Sequence, residues 1–285
     1  MNFDQHLHHL IDEALKEDIG EGDHSTLSSI SPQANGRAVL KIKQEGVLAG
    51  MQVAENIFNH IEPGSVFIGL KKDGEEMKYG EKAFEVEALV HTILQCERLV
   101  LNCMQRMSGI ATLTKQYADK IKGSKSRLLD TRKTTPNFRL LEKEAVRIGG
   151  GVNHRFGLYD MIMLKDNHID YCGGIEKAIE KAAEYVRTIA TGLKIEVETR
   201  TIEDVKKVIA MGKGKVFRIM LDNFKPEQIA EAVDLIREDF ETEASGGINL
   251  DNIEEYAKAG VDYISVGALI HQARSLDLSL KAVIV

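Results

Sequence analysis

The stretch LKIEVETRTIEDVKKVIAMGKGKVFRIMLD, residues 193–222, decides the fold class. It begins with the apolar run LKIEVE (193–198), continues with apolar residues at helical spacing in TIEDVKKVIAMG, and ends in a second apolar run, VFRIMLD (216–222). A strand, a helix and a strand in this order form a parallel pair joined by a right-handed crossover. The stretch therefore predicts an α/β fold.

The same alternation extends on both sides of this unit. Four more strand-like runs occur, RLLD (127–130), DMIMLK (160–165), TEAS (242–245) and DYISVG (262–267). Helical patterns separate the later runs, as expected for a parallel sheet. Six such strands fit either an open doubly wound sheet or a parallel barrel with fewer than the usual eight strands.

The residues at the strand ends favour the barrel. Charged and small polar residues follow the apolar runs, namely Thr131, Arg132, Lys133, Lys165, Glu198, Asp222, Ser245, Gly246, Gly247 and Gly267. In a barrel the carboxyl ends of all strands converge on one mouth, whereas an open sheet spreads them along an edge. We therefore expect an incomplete parallel α/β barrel over residues 112–268 that carries the active site.

The preceding part of the chain has a different pattern. Apolar residues recur at helical spacing over 3–18, strand-like runs follow at 37–43 and 45–50, and a long helical pattern covers 92–117. Gly and Pro interrupt the region between them up to about residue 82. This part is predicted to be a separate α+β domain over residues 1–111.

Composition excludes several classes of protein. The 285 residues are 43% hydrophobic and 28% charged, and no apolar run is long enough for a membrane span. The first 18 residues lack the basic start and apolar run of a secretory signal. The net charge of −7 disfavours general binding to nucleic acid. Three cysteines without metal-ligand spacing indicate reduced thiols and a cytoplasmic location.

Cations are nevertheless concentrated in one part of this acidic chain. Residues 131–165 contain seven Lys and Arg residues against three acids. Such an island suits a small polyanionic ligand, although a solvated basic face gives the same count. Arg132 has the planar fork that pairs with a carboxylate, and Lys133 has a compact charge that suits phosphate. His154 and Arg155 follow a run of three glycines, which lets the backbone approach a ligand or turn sharply.

Two acids and two glycine-containing loops complete the predicted mouth. Glu198 and Asp222 end successive strands, where carboxylates can hold a divalent cation, bind ribose hydroxyls or stabilise a developing positive charge. ASGGI (244–248) and VGALI (266–270) resemble the phosphate-binding loops of late barrel strands. Together these groups suit a sugar phosphate, a diphosphate and a carboxylated partner.

Several strings in the chain resemble the quinolinate phosphoribosyltransferase family. The most specific are TRKTTPNFRLLEKEAVRIGGGVNHR (131–155) and MLKDNH (163–168), and EDIGEGDHST (17–26), ERLVLNCMQRMSGIAT (97–112), IEVE (195–198) and MLDNF (220–224) add to them. The resemblance implies a transferase of NAD biosynthesis that uses magnesium. Quinolinate and phosphoribosyl pyrophosphate would give nicotinate mononucleotide, pyrophosphate and carbon dioxide.

The resemblance also assigns roles to individual residues. The quinolinate carboxylates would meet Arg98, Arg132, His154, Arg155 and Lys165, with Arg98 supplied by the neighbouring subunit of a homodimer or larger homo-oligomer. Lys133, beside Thr131, would meet phosphoribosyl pyrophosphate, and Glu198 and Asp222 would serve its ribose and, through substrate and water, the magnesium. The 5′-phosphate would lie against Ser245, Gly246, Gly247 and Gly267, with His271. An open α/β sandwich would form the N-terminal domain, and residues 269–285 would pack back on it.

Two other functions remain open on the residues alone. A related phosphoribosyltransferase could act on a different aromatic acid, and a non-catalytic barrel could bind a phosphorylated metabolite. The acid pair disfavours the second function, because a purely anion-binding site gains nothing from added negative charge.

Overall fold

A computed structural model describes residues 3–283. The chain folds as two compact units. The first comprises the residues up to Lys115, together with Thr134–Gly150 and those from Leu269 onward, and the second comprises Gln116–Lys133 and Gly151–Ala268. The predicted domain ranges differ from this division at 112–115 and 134–150, which they place in the barrel. They also include residues 1, 2, 284 and 285, which lie outside the described part.

The first unit is built on antiparallel strands. Its main sheet has the order β12-β1-β5-β3, and a two-stranded sheet pairs β2 with β4. These strands are β1 (Asn35–Ile42), β2 (Gly46–Val47), β3 (Val66–Gly69), β4 (Glu76–Met77), β5 (Lys82–Leu89) and β12 (Leu278–Ala282). The pairing of β12 with β1, in which Leu280 lies opposite Leu40, brings the last strand of the chain beside the first.

Helices accompany this sheet. They are α1 (Phe3–Ile19), α2 (His24–Ser29), α3 (Met51–Ile61), α4 (Val90–Lys120), whose last turn belongs to the second unit, α5 (Arg139–Ile148) and α11 (Ala268–His271). An aromatic group contributes to the core, where the rings of Phe58 on α3 and Phe84 on β5 meet edge to face with their centres 6.2 Å apart. None of the helices in the described chain is long and apolar enough to cross a membrane.

The second unit contains six parallel strands alternating with helices. The strands are β6 (Arg127–Leu129), β7 (Ile162–Leu164), β8 (Ile195–Thr199), β9 (Arg218–Asp222), β10 (Glu241–Ser245) and β11 (Tyr263–Ser265). The helices are α6 (Asp166–Cys172), α7 (Ile175–Thr188), α8 (Ile202–Gly212), α9 (Pro226–Ile236) and α10 (Ile253–Lys258). All six strands predicted from the sequence are present, which confirms the α/β fold class.

The strand order shows that this sheet is an incomplete barrel. It runs β6-β11-β10-β9-β8-β7, so each strand from β7 to β10 pairs with its successor and β11 pairs with the first strand, β6. A doubly wound sheet would reverse direction at an internal strand, which this order does not do. The ring is interrupted between β6 and β7, where the segment after α5 contributes a single bridge between Leu129 and Val152.

The two faces of this sheet differ in polarity. Apolar residues such as Val197, Ile219 and Ala244 are fully buried on one face. The other face carries the residues one position away in each strand, including Glu196, Glu198, Arg218, Glu243 and Ser245. Barrel interiors are usually filled by branched apolar side chains. The charged interior of this one therefore requires an explanation.

Candidate active site

The carboxyl ends of the parallel strands place the predicted residues along one rim of the second unit. Lys165, Glu198 and Asp222 end or directly follow β7, β8 and β9. Thr131–Lys133 follows β6, Ser245–Gly247 follows β10, and Gly267 lies just beyond β11. The structure thus gathers these stretches at the same edge of one sheet, although their individual roles remain predictions.

Two arginines approach each other at this rim. Burial and the neighbouring Arg132 both lower the pKa of the Arg155 guanidinium. Arg155 donates to the carbonyl of Met161 at 3.1 Å and to the sulfur of Met163 at 3.7 Å, and Nε of Arg132 is buried without a hydrogen-bond partner. In residues 3–283 neither guanidinium has a carboxylate within ion-pair distance. Two such cations side by side have the chemistry to pair with an anion that has more than one negative charge.

A buried aspartate joins the loops that carry these arginines. Asp130 follows β6 directly and is fully buried. Its carboxylate accepts hydrogen bonds from the backbone N–H of His154 at 2.7 Å and from Nδ2 of Asn153 at 2.8 Å. Because Asp130 precedes Arg132 by two residues, this contact sets the GGGVNHR segment beside the TRK segment.

The acid pair and Lys165 form a second group on the rim. Nζ of Lys165 lies 3.6 Å from Oε2 of Glu198, and the backbone N–H of Asp166 donates to Oε1 of Glu198 at 3.3 Å. Burial raises the pKa of Glu198, and Asp222 and Asp166 raise it further against the opposite effects of the Asp166 N–H and Lys165. Two nearby carboxylates with a single loosely held cation favour an additional positive charge between them.

The turn after β10 has a structural requirement for glycine. Gly246 has φ +93°, and a Cβ there would lie 2.3 Å from Oδ1 of Asn223, while Gly247 has φ +65°. The backbone N–H of Asn223 donates to the carbonyl of Ser245 at 2.8 Å, which holds the turn against the end of β9. The glycines are therefore explained by the turn itself, and phosphate binding there remains a prediction.

Two of the predicted site residues belong to the first unit. Arg98 is exposed on α4, and His271 is exposed at the end of α11. In the part of the chain that the structure describes, Arg98 has no ion-pair partner.

A cluster of charged residues in the barrel interior was not predicted. It consists of His154, Glu196, Arg218 and Glu243, and we call it the buried cluster. All four are less than 9% exposed, and the two glutamates are fully buried. The sequence does contain Glu and Arg at alternate positions within otherwise apolar strands. It does not show whether such a side chain points into the barrel or into solvent.

The fold and the rim together define a class: an α/β-barrel protein with charged side chains at the carboxyl ends of its parallel strands and a second unit built on antiparallel strands. Family models name the family. Residues 23–108 match the N-terminal domain of quinolinate phosphoribosyl transferase, and residues 110–281 match its C-terminal domain. The chain belongs to the quinolinate phosphoribosyltransferase family.

Individual relatives cover almost the entire chain. A chloroplastic nicotinate-nucleotide pyrophosphorylase [carboxylating] of Arabidopsis thaliana is 43% identical over 94% of this chain and 80% of its own length. A probable enzyme of the same name from Bacillus subtilis is 41% identical over 96% of this chain and 92% of its own. The structure of the nicotinate-nucleotide pyrophosphorylase from Francisella tularensis superimposes with a TM-score of 0.89 at 37% identity, covering 99% and 97% of the two chains.

Proposed function

We propose that the protein is a quinolinate phosphoribosyltransferase that converts quinolinate and phosphoribosyl pyrophosphate to nicotinate mononucleotide, pyrophosphate and carbon dioxide. The observation that carries this proposal is the proximity of Arg132 and Arg155, neither of which has a carboxylate within ion-pair distance in residues 3–283. Quinolinate has carboxylates on adjacent ring carbons, and two forked cations side by side match that dianion. Family membership supports the same activity.

Lys165 extends the quinolinate site in this proposal, whereas His154 supports it from within the barrel. Lys165 is half-exposed at the rim, where its ammonium can reach a carboxylate while remaining close to Glu198. His154 adjoins Arg155 in the chain, but its ring faces the barrel interior and is only 5% exposed. We therefore assign the direct contacts with the dianion to the two arginines and Lys165.

Phosphoribosyl pyrophosphate occupies the remainder of the rim in this proposal. Lys133 is exposed in the loop after β6, and its backbone N–H donates to Oγ1 of Thr131 at 3.0 Å, so the ammonium can extend toward a diphosphate. The turn at Ser245, Gly246 and Gly247, together with Gly267, offers backbone N–H groups to the 5′-phosphate. The exposed His271 is a further proposed contact of that phosphate.

Glu198 and Asp222 fit a magnesium ion by their chemistry. Magnesium prefers carboxylate oxygens and water, and these two acids are close enough for one to raise the pKa of the other. They would hold the ion through substrate and water, and the ion would supply positive charge against the departing diphosphate.

The side chains of this rim suit the bond changes of the reaction. The ring nitrogen of quinolinate bonds to the anomeric carbon of the sugar as the bond to pyrophosphate breaks, and the anomeric carbon becomes positive on the way. Glu198 and Asp222 stabilise that charge, and the arginines orient the ring nitrogen toward the carbon. The positively charged pyridinium then accepts the electron pair left when the adjacent carboxylate departs as carbon dioxide, and a proton replaces it on the ring.

The proposal extends to a homodimer with shared sites in the cytoplasm. An exposed Arg98 without an ion-pair partner in the described chain is available to a neighbouring subunit. Cys96 and Cys103 are free and buried, as suits a reducing compartment.

A product assay tests the activity. The protein is incubated with quinolinate, phosphoribosyl pyrophosphate and magnesium, and nicotinate mononucleotide and carbon dioxide are measured, with nicotinate offered in a parallel reaction. We expect product from quinolinate and little from nicotinate, which lacks the second carboxylate. Absence of product from quinolinate under all conditions would contradict the proposal, and a preference for nicotinate would reassign the substrate.

Subunit mixing tests the shared site. Arg98→Ala and Arg155→Ala proteins are each expected to be nearly inactive, whereas their mixture regains part of the activity through hybrid dimers that contain one intact site. Mixing two samples of Arg155→Ala protein is the control. Persistent inactivity after subunit exchange has been verified by mass spectrometry would show that Arg98 does not act across subunits.

A further inference from the structure

The buried cluster connects the ring of His154 to two strands of the barrel. Nε2 of His154 lies 3.1 Å from Oε2 of Glu196 on β8 and 3.3 Å from Oε2 of Glu243 on β10. Nη1 of Arg218 on β9 donates to the same Glu243 oxygen at 2.9 Å and lies 3.7 Å from Oε2 of Glu196. The four side chains thus form one network across three neighbouring strands.

These groups could also be considered as a metal site, since one ligand atom from each of His154, Glu196 and Glu243 lies within 4.8 Å of the others. Arg218 argues against that interpretation. Its guanidinium already bonds to the glutamate oxygen that a metal would need, and a second cation beside it would be repelled. The guanidinium is further held over the ring of Tyr263, with 4.1 Å to the ring centre.

The other side of the His154 ring faces the substrate-binding arginine. The backbone N–H of Arg155 donates to Nδ1 of His154 at 2.7 Å. The backbone N–H of His154 is held in turn by Asp130. The ring therefore bridges the buried cluster and the peptide that carries Arg155, and a change in ring orientation would move that peptide.

Arg155 itself has few anchors of its own. Its guanidinium contacts one carbonyl and one sulfur, and Arg132 repels it. Its position therefore depends on the backbone from which it extends. We propose that Glu243 and Glu196 are positioning residues for the transferase reaction, which act through the His154 ring to hold Arg155 in the orientation that binds the substrate dianion. This inference rests on the proposed function.

Glu243→Gln tests the proposal, because it removes the charge and preserves the shape. We expect KM for quinolinate to rise about tenfold, while KM for phosphoribosyl pyrophosphate and kcat at saturation change little. Glu241→Gln is the matched control: Glu241 accepts two bonds from Arg218, at 2.8 and 3.2 Å, but has no contact with His154. A purely structural role would lower the thermal midpoint of both variants without this selective change in KM.

A double-mutant cycle shows whether the effect passes through Arg155. In an Arg155→Lys background, Glu243→Gln should raise KM for quinolinate by much less than in the wild type, because the side chain that it positions has been changed. Full additivity of the two effects would overturn the proposal.

A second pair of variants serves if Glu243→Gln does not fold. In His154→Asn the side-chain oxygen takes the position of Nδ1 and can still accept the hydrogen bond from the Arg155 N–H. In His154→Gln the side-chain amide takes the position of Nε2 instead, so that bond is lost. We therefore expect His154→Asn to retain tighter quinolinate binding than His154→Gln, measured by calorimetry. The opposite order would overturn the proposal. A wild type that forms no product and binds no quinolinate would contradict the proposed function instead.

Discussion

The rim and the buried cluster are built from similar residues but differ in how their charges are satisfied. In the buried cluster each charged group has an opposite charge within 4 Å, and the side chains are at most 8% exposed. At the rim, Arg132 lies close enough to Arg155 to lower the pKa of the Arg155 guanidinium. Nζ of Lys165 lies 3.6 Å from Oε2 of Glu198, and Asp222 is close enough to raise the pKa of Glu198. Only one residue, Val197, separates Glu196 from Glu198 on the same strand.

This difference indicates which charges serve folding and which serve binding. A buried charge that lost its partner would be strongly unfavourable, so the interior pairs contribute to the native structure. The rim leaves its cations incompletely paired and near water, where a substrate can complete the pairing. The same residue types at neighbouring positions of β8 and β9 therefore have opposite expected effects on stability and activity.

Removing one arginine from each region should separate these effects most clearly. Arg218→Met removes one of the two cations that face Glu196 and Glu243, and we expect the free energy of unfolding to fall by about 3–5 kcal/mol. Arg155→Met relieves repulsion with Arg132 and is expected to leave stability unchanged or slightly higher while activity is lost. Urea denaturation and the product assay on both proteins measure this. Equal loss of stability in the two variants would remove the distinction.

The acids on β8 offer the next largest contrast. Glu198→Ala removes a carboxylate from the rim, and we expect kcat to fall about 100- to 1000-fold, because charge in the transition state is no longer stabilised. Quinolinate binding should largely survive, since the dianion gains nothing from an acid. Steady-state kinetics and calorimetry provide the two values. Unchanged kcat would exclude Glu198 from the reaction.

The residues of the rim can be predicted from the sequence because each apolar run shows where a strand ends. The apolar runs that contain β6 to β11 were recognised, and parallel strands necessarily bring the residues that follow them to one edge. The choice of a barrel over an open sheet also rested on those residues, and the pairing of β11 with β6 confirms it.

The cluster was missed because its residues lie inside strands. Glu196 and Glu243 lie within the predicted strands IEVE and TEAS. Acids at alternate positions of a strand normally indicate a face exposed to solvent. Their burial depends on strand pairing across 47 residues of sequence and on Arg218 between them. Helices α3 and α5 are likewise absent from the elements that the sequence analysis predicts.

The protonation of the buried cluster makes the stability of the fold depend on pH. Burial and the neighbouring Glu243 raise the pKa of Glu196 to about 7. Burial alone would lower the pKa of His154, but the two glutamates outweigh this effect and raise the pKa of His154 to about 9. The Arg155 N–H contact at Nδ1 places the extra proton between Nε2 and the glutamates. A group with a higher pKa in the folded chain stabilises it while protonated and loses that contribution as pH rises.

The contribution of the cluster to stability should therefore decline as the pH rises from about 4.5 to 9, first through Glu196 and then through His154, by a few kcal/mol, the order of magnitude that these shifts imply. Urea denaturation at several pH values measures the slope for the wild type and for Glu196→Gln, which cannot ionise. We expect a flatter dependence in the variant. A wild-type stability that rises over this range would show that the cluster does not hold its proton.

The smallest expected effect on stability is at the exposed ion pair of the rim. Lys165 lies 3.6 Å from Glu198 and its side chain is 48% exposed, so the pair should contribute less than about 1 kcal/mol to folding. Lys165→Met should therefore unfold at nearly the same urea concentration as the wild type, yet raise KM for quinolinate. Lys125→Met is the control, because Lys125 forms a similarly exposed pair with Asp262 at 2.9 Å, away from the rim, and should change neither quantity. A loss of stability in Lys165→Met as large as that in Arg218→Met would show that rim charges hold the fold together, and the contrast between the two regions would no longer stand.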